Sequence, residues 1–467
     1  MRQYMKTDSF DFDTIILGGG SAGYAAARTL AEGGLKTAVI DGGEELGGLC
    51  ILRGCMPTKA LLYAAEVKHL AEHGDKWGLK IPGVGFDFQK VMARKNAMIE
   101  DFASYRRKQL KDGRFELIQC KATFSDPHTL MLENGKSVSA QTILISTGSK
   151  VSPLPIPALE SALPWTSDDV LKLQRLPESV IVLGGGPVSL ELAQFFLRFG
   201  VKTTVIQRSS HVLRPFDEDM VTPLEASLRQ EGMHILTDTQ LIDGGIKGGK
   251  KFVTFKQEGK EHTLFADAVL HGLGRQPNTQ FLNLEKAGLD GGKGHIQTNL
   301  QMQTKVPHIY SAGDCTGPHE IVHIAIQQGE VAAHNILNPE SMKSMDYRVL
   351  VSVVFTDPQA AMVGMSEKEA KAAGRRVITA DYPFNDHGKS MIMEALHGSV
   401  KLIADSTTGE LLGGACTGPM AGDLIHEVAV AIHQKMTAAA FASVPHYHPT
   451  LAEIWTYPAE EIAESIA

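Results

Sequence analysis

A chain of 467 residues, 43% of them hydrophobic, is too long for one core and long enough for two to four domains that each bury a substantial interior. Its 53 acidic and 45 basic residues leave a net charge of −8 with no Lys/Arg-dense block, which argues against nucleic acid as a partner. No apolar run approaches the ~20 residues that span a bilayer. The opening MRQYMKTDSFDFD is polar where a signal peptide needs an apolar core, and five cysteines in so long a chain form no secreted framework, so a cytoplasmic protein away from membranes is expected.

The first predicted elements are a strand, a glycine turn, a helix and a second strand in FDTIILGGGSAGYAAARTLAEGGLKTAVIDGG, a βαβ unit ending at Asp41. Gly18, Gly20 and Gly23 fit G-x-G-x-x-G, which gives a tight turn, lets a diphosphate approach the backbone at a helix N-terminus, and packs helix on strand. Asp41, 18 residues past Gly23, stands where a carboxylate bonds a ribose 2′-hydroxyl.

Next comes GGLCILRGCMPTK, with Cys50 and Cys55 ahead of the helix-like ALLYAAEVKHLAEH. In a regular helix, residues five apart rise about 7.5 Å along the axis, beyond the roughly 7 Å Cα separation a disulfide tolerates. If the two bond, the backbone between them is irregular, with Gly54 supplying the freedom and Pro57 a residue suited to a helix start. A zinc site using Cys50, Cys55 and histidines is an alternative, though no second cysteine pair with ligand spacing follows. Cys120, Cys315 and Cys416 read as small buried apolar residues. Lys59 and Glu191 are candidates for an ion pair near a cofactor, or ordinary surface charges.

QTILISTG is a strand closing the first domain, followed by a Pro-rich crossover near residue 150. SVIVLGGGPVSLELAQFFLRFGVKTTVIQRSS repeats the βαβ unit with Gly184 and Gly186, but Ser189 stands for the third glycine and Gln207 with Arg208 replaces the acid. A missing carboxylate beside Arg208 and Arg214 favours a 2′-phosphate, unless both arginines are solvated surface charges. Two dinucleotide units imply electron transfer between a flavin and a nicotinamide, with the cysteine pair as a third station.

ADAVLHGLGRQPN reads as another closing strand, and PHIYSAGDCTG as a short strand before a buried Asp314. From Tyr347 the pattern becomes α+β. Within it HYHPTLAE carries His446, His448 and Glu453. Pro449 holds His448 extended and can open a helix there, and Glu453 one turn on can orient the imidazole as a general acid/base; a helix cap with surface histidines is the plainer alternative.

GGLCILRGCMPTK, TILISTG, LGRQPN, YSAGDC, VVFTDPQAAMVG and HYHPTLAE together resemble the class I flavoprotein disulfide oxidoreductases from about residue 12 to 460. The resemblance implies an α/β fold: an FAD-binding domain with the redox pair at 1–149, an NAD(P)-binding domain at 150–276, a return to the central FAD domain at 277–345, and an α+β dimerisation domain at 346–467. It implies Cys55 as the flavin-facing thiolate, Cys50 as the exchanging sulfur, and His448, backed by Glu453, acting on the other subunit of a homodimer. Lys59 and Glu191 would pair near the flavin. Further cofactor contacts are implied at Ser21, Gly48, Ala122, Thr147, Gly148, Asp314, Ile321, Val322 and His323 on the FAD side, and at Pro187, Val188 and Gly274 on the nucleotide side. The expected function is electron transfer between NAD(P)H and a small disulfide or dithiol, most like dihydrolipoamide dehydrogenase, with NADP(H) favoured over NAD(H) and no metal. An NADPH-dependent reductase of another small disulfide and a non-turnover redox sensor are the alternatives.

Overall fold

The structure, a computed structural model, describes residues 10–290 and 294–466, so the polar start at 1–9 lies outside the described residues. The chain divides into two compact units, each assembled from three separate stretches.

The first unit takes residues 10–57, 95–152 and 275–346. Its sheet runs in the order Glu116–Ile118, Thr37–Ile40, Phe12–Leu17, Ser137–Ile145, Thr129–Leu132, Ala122–Phe124, with Ile309–Ser311 also paired to Ser137–Ile145. The strands around Phe12–Leu17 are parallel, and the hairpin beyond Ser137–Ile145 is antiparallel. Ile15 and Ile16 point to opposite faces and are both fully buried, as a parallel sheet covered on both sides requires. The helix Ser21–Glu32 buries Ala22, Ala25, Ala26 and Ala27, small residues that allow close approach.

The second unit takes residues 58–94, 153–274 and 347–466. A four-stranded parallel sheet in the order His234–Leu236, Lys202–Ile206, Ser179–Leu183, Ala268–His271 carries the second glycine turn. Residues 347–466 form an antiparallel sheet of five strands, Val351–Val354, Gln359–Gly364, Leu411–Gly418, Ser399–Asp405 and Val377–Pro383 in spatial order, with the helix Ala421–His433 against it. Trp455 is fully buried in the same core and donates its indole N–H to the Leu424 carbonyl at 3.2 Å. Residues 58–94 differ from the expected division, which kept them with the first domain. Leu61, Ala65 and Met92 share a core with Leu192, Phe195 and Phe196 of the second unit, and this apolar burial outweighs their place in sequence. A three-stranded antiparallel sheet, Thr239–Lys247, Lys250–Gln257 and Lys260–Ala266, also lacked a sequence signal strong enough to read.

Cys315 and Cys416 are fully buried, and burial pushes both thiols up. Cys120 is half-buried at the edge of the first unit's core, a correction to the expectation of full burial. Among the described residues no helix is long and apolar enough to cross a membrane, and no group of three or more potential ligand residues is placed to hold a metal ion.

Candidate active site

In the first unit Gly18 has φ +102°, and a side chain there would overlap the Ser146 carbonyl, so the turn accepts only glycine. Gly20 caps the helix Ser21–Glu32 with no side-chain hydrogen bond, which leaves that N-terminus open to an anion. A Cβ at Gly23 would overlap the Gly18 carbonyl and press on Ser146 Oγ. Asp41 holds the turn from the second strand: its Oδ2 accepts the Gly19 N–H at 2.8 Å and its Oδ1 the Gly43 N–H at 2.8 Å.

Gly48 has φ +79°, and a Cβ on it would lie 2.9 Å from Gly20 Cα, so the segment carrying Cys50 is seated directly on the dinucleotide turn. The helix Leu49–Leu52 ends at Arg53 (φ −143°, ψ 6°) and a new helix, Cys55–Glu72, begins at the second cysteine. The backbone is thus irregular between the pair. Gly54 serves this break by space rather than by a left-handed conformation, since a Cβ would stand 3.0 Å from the Leu49 carbonyl oxygen and 3.2 Å from Cys50 Cα. Both cysteines are half-buried. Arg106, a cation without a sequence motif, lies 3.9 Å over the Tyr24 ring; burial lowers its pKa, opposed by charge interactions with Tyr24 and Cys50.

Other expected FAD contacts gather in this unit. The Thr147 hydroxyl is buried with no protein partner, an acceptor and donor left for something absent from the chain. Gly148 follows at φ +69°. Asp314 is half-buried rather than buried; it accepts the Ser149 hydroxyl at 2.6 Å, and Arg275 Nε donates to Ser149 Oγ at 2.7 Å. Ile321 caps the helix Val322–Leu337, and His323 is exposed at its first turn. Ala122 is a core residue of a strand, so it offers main chain alone. The open helix N-terminus, the approach of Gly48 to Gly20 and the orphaned Thr147 hydroxyl fit a bound dinucleotide.

The second turn copies the first with different chemistry. Gly184 has φ +100°, Gly186 caps the helix Pro187–Arg198, and Pro187 opens it. Gln207 Oε1 accepts the Gly185 N–H at 3.0 Å, the same turn contact that Asp41 makes, without the charge. Arg208 and Arg214 are exposed near that strand end, with no protein partner among the described residues. Val188 is exposed beside the turn and Gly274 has φ +111°.

Lys59 and Glu191 are no surface charges. Lys59 Nζ lies 2.6 Å from Glu191 Oε2, Glu191 is 2% exposed, and its Oε1 accepts the Phe355 N–H at 3.0 Å. The ammonium also sits 4.7 Å from the Phe355 ring centroid. Removing Lys59 would strand the buried Glu191 carboxylate, whereas the Lys59 ammonium, a third exposed, keeps contact with solvent.

In the terminal domain His448 Nδ1 lies 3.0 Å from Glu453 Oε2, with the imidazole 78% exposed and the carboxylate largely covered. The helical turn carrying Glu453 begins at Ala452, not at Pro449, so Glu453 faces His448 from its second residue instead of from a full turn further on. His446 is tied elsewhere, its Nε2 2.6 Å from Glu427 Oε1. Sequence reading missed Arg106, Ser149, Arg275 and Glu427, which carry no local motif of their own.

A family model described as pyridine nucleotide-disulphide oxidoreductase matches residues 12–329, and that family's dimerisation domain matches residues 350–459. The chain is 33% identical to a dihydrolipoyl dehydrogenase of Bacillus subtilis over 95% of its length and 96% of the relative's. It is also 33% identical to one of Geobacillus stearothermophilus, over 97% and 96%. Among solved structures it is similar to LpdA from Mycobacterium tuberculosis, with a TM-score of 0.86, 26% identity, and 96% and 99% of the two chains covered. The HOCl-induced flavoprotein disulfide reductase RclA from Escherichia coli gives 0.84 at 26% identity, covering 96% and 99%.

Proposed function

The chain belongs to the pyridine nucleotide-disulphide oxidoreductases, and on that premise we propose that its Cys50–Cys55 pair exchanges electrons with a small disulfide or dithiol of the lipoamide type. It is a flavoprotein disulfide reductase of the lipoamide dehydrogenase class, it takes FAD and a pyridine nucleotide, and its dimerisation domain implies a homodimer. The observation that carries the reading is the seating of Gly48 on Gly20, which sets the cysteine-bearing segment against the dinucleotide turn.

Gly18, Gly20, Gly23, Asp41, Gly48 and Thr147 would hold FAD, which when bound relays two electrons between the nicotinamide and the cysteine pair. In the reducing direction, the Cys50 thiolate attacks one sulfur of the substrate, forms a mixed disulfide and expels the other sulfur as a thiolate. His448 of the partner subunit protonates that leaving group. The Cys55 thiolate then attacks Cys50, closes the Cys50–Cys55 disulfide and releases the second thiol. Lys59 stands one turn after Cys55 on the same helix, and Glu191 holds its ammonium in place. A cytoplasmic setting, where the reduced thiols persist, suits this chemistry.

Cys50→Ser is expected to keep FAD and its reduction by nicotinamide while lipoamide turnover disappears; turnover that persists would remove the relay. A panel of lipoamide and oxidised glutathione, each with both nucleotides, then ranks the substrates. For the nucleotide, the uncharged Gln207 with unpartnered Arg208 and Arg214 supports NADPH over NADH. Each guanidinium contact to a 2′-phosphate contributes about 1.5–3 kcal/mol, so a preference of about tenfold or more in kcat/KM is expected, moving toward NADH in Arg208→Glu. Equal use of both nucleotides by the wild type would return these arginines to the status of surface charges.

A further inference from the structure

Behind Glu453 stands a second histidine with no part in the chemistry above. His387 is 0% exposed, follows the short turn Phe384–Asp386 and caps the helix Gly388–Ile392. Its Nδ1 lies 2.8 Å from the hydroxyl of Ser390, which is equally buried. Its Nε2 faces Glu453 Oε1 at 3.5 Å, an ion-pair distance longer than a hydrogen bond, and is otherwise without a hydrogen-bond partner among the described residues. The other carboxylate oxygen, Oε2, is the one 3.0 Å from His448. Four side chains therefore stand in line, Ser390, His387, Glu453 and His448, with the apolar edge of Phe384 beside them, its ring centroid 6.4 Å from that of His387.

Elementary chemistry fixes the direction of each bond. An ionised carboxylate only accepts, so the nitrogens that face it carry hydrogens: Nε2 of His387 and Nδ1 of His448. Burial, opposed by the charge of Glu453, holds His387 below the usual histidine range, so its ring is neutral and has one proton to place. With that proton on Nε2, Nδ1 is an acceptor and the Ser390 hydroxyl donates to it. His448 is left with Nε2 open for proton exchange. The charged and titratable groups that bear on His387 are Glu453 and His448; the adjacent Asp386 accepts from the Tyr382 hydroxyl at 3.0 Å.

We propose that His387 and Ser390 are positioning residues, which hold the Glu453 carboxylate in the orientation that aligns His448. This deepens the reading above and rests on His448 as the acid/base. Without the His387 N–H, Glu453 Oε1 loses the group it faces, the carboxylate aligns the His448 imidazole less well, and proton transfer slows.

The test is made on the FAD-loaded dimer with lipoamide, comparing His387→Leu, His387→Gln, Ser390→Ala and His448→Gln. His387→Leu is expected to lower kcat about tenfold with KM for lipoamide unchanged, and with flavin content and its reduction by nicotinamide unchanged. His387→Gln still presents an N–H to Oε1 and is expected to recover most of the rate; Ser390→Ala falls between them. A His387→Leu enzyme with wild-type kcat, or a His387→Gln enzyme as impaired as His387→Leu, overturns the proposal while His448→Gln remains inactive. Turnover surviving in His448→Gln would instead overturn the acid/base reading itself. Should His387→Leu lose its flavin or fail to fold, Ser390→Ala decides, and an unchanged kcat in that variant overturns the proposal.

Discussion

The two glycine turns solve one packing problem from opposite sides. In the first, the helix supplies Gly23 and the neighbouring strand end supplies Ser146, whose hydroxyl donates to the Leu17 and Gly18 carbonyls at 3.0 and 2.9 Å. In the second, the helix supplies Ser189 and the strand end supplies Gly272, with Ser189 Oγ donating to the Gly272 carbonyl at 3.2 Å. The positions correspond, since Ser146 N–H donates to Leu17 at 2.8 Å and Gly272 N–H to Leu183 at 2.9 Å. Each crossing holds one serine and one glycine, because there is room for a single hydroxymethyl group between helix and strand. A serine in the third place of the motif is therefore no weakening of the second unit. It is the same contact with its side chain given by the other partner.

The largest difference between the turns is expected from Gly23→Ala. The added methyl meets the main chain of Gly18, which cannot move without opening the turn, so a loss of about 3 kcal/mol, the upper end for overpacking, is expected together with most of the bound flavin. Ser189→Ala keeps the volume and loses one hydrogen bond, about 1 kcal/mol. Thermal midpoints and flavin content measured on both variants check this, and similar losses would break the asymmetry. A smaller effect is expected where the turns differ in charge. Gln207→Glu gives the second unit the acid that the first has, and the added carboxylate repels a 2′-phosphate, so the ratio of kcat/KM for NADPH to that for NADH should fall about tenfold, equivalent to about 1.4 kcal/mol. An unchanged ratio would mean that Gln207 serves only the Gly185 N–H. The smallest effect tests the exchange itself. Gly272→Ser alone collides with Ser189, and Ser189→Gly alone leaves a gap, whereas the double variant rebuilds the first unit's arrangement. A coupling of about 1 kcal/mol in favour of the double variant is expected from denaturant midpoints, and strict additivity would sink the equivalence.

The same contrast explains what the amino-acid order disclosed. Gly18, Gly20, Gly23 and Asp41 are legible because a turn, a helix start and a strand end lie at fixed spacings along one continuous stretch. The contact between Ser189 and Gly272 joins residues 83 apart, and no local pattern marks a glycine whose purpose is to leave room for a distant hydroxyl. Lys59 and Glu191 are 132 residues apart, so the motif around Lys59 fixes that residue but only the fold shows it paired to a buried carboxylate. His387 was invisible for another reason: an isolated histidine before Gly388 has no spacing to distinguish it, and its meaning comes from the two groups its ring nitrogens meet. The placement of residues 58–94 was missed because cysteine and glycine signals at its start outweighed, in reading, the apolar positions that actually decide where a segment is buried.

The three-stretch construction of the first unit also sets an order for biosynthesis. The strand Phe12–Leu17 and its glycine turn leave the ribosome early, but the Ile143–Ile145 end of the strand Ser137–Ile145 keeps one edge open until Ile309–Ser311 is made to pair with it. At the ~5–20 residues per second of translation, that edge waits on the order of ten seconds or more. During the interval it is a row of unpaired peptide groups on an apolar strand, the kind of surface on which nascent chains cross-pair. Flavin supplied before residue 309 emerges would therefore meet a turn whose sheet is unfinished, and the yield of assembled enzyme should depend on the late strand more than on the glycine turn itself.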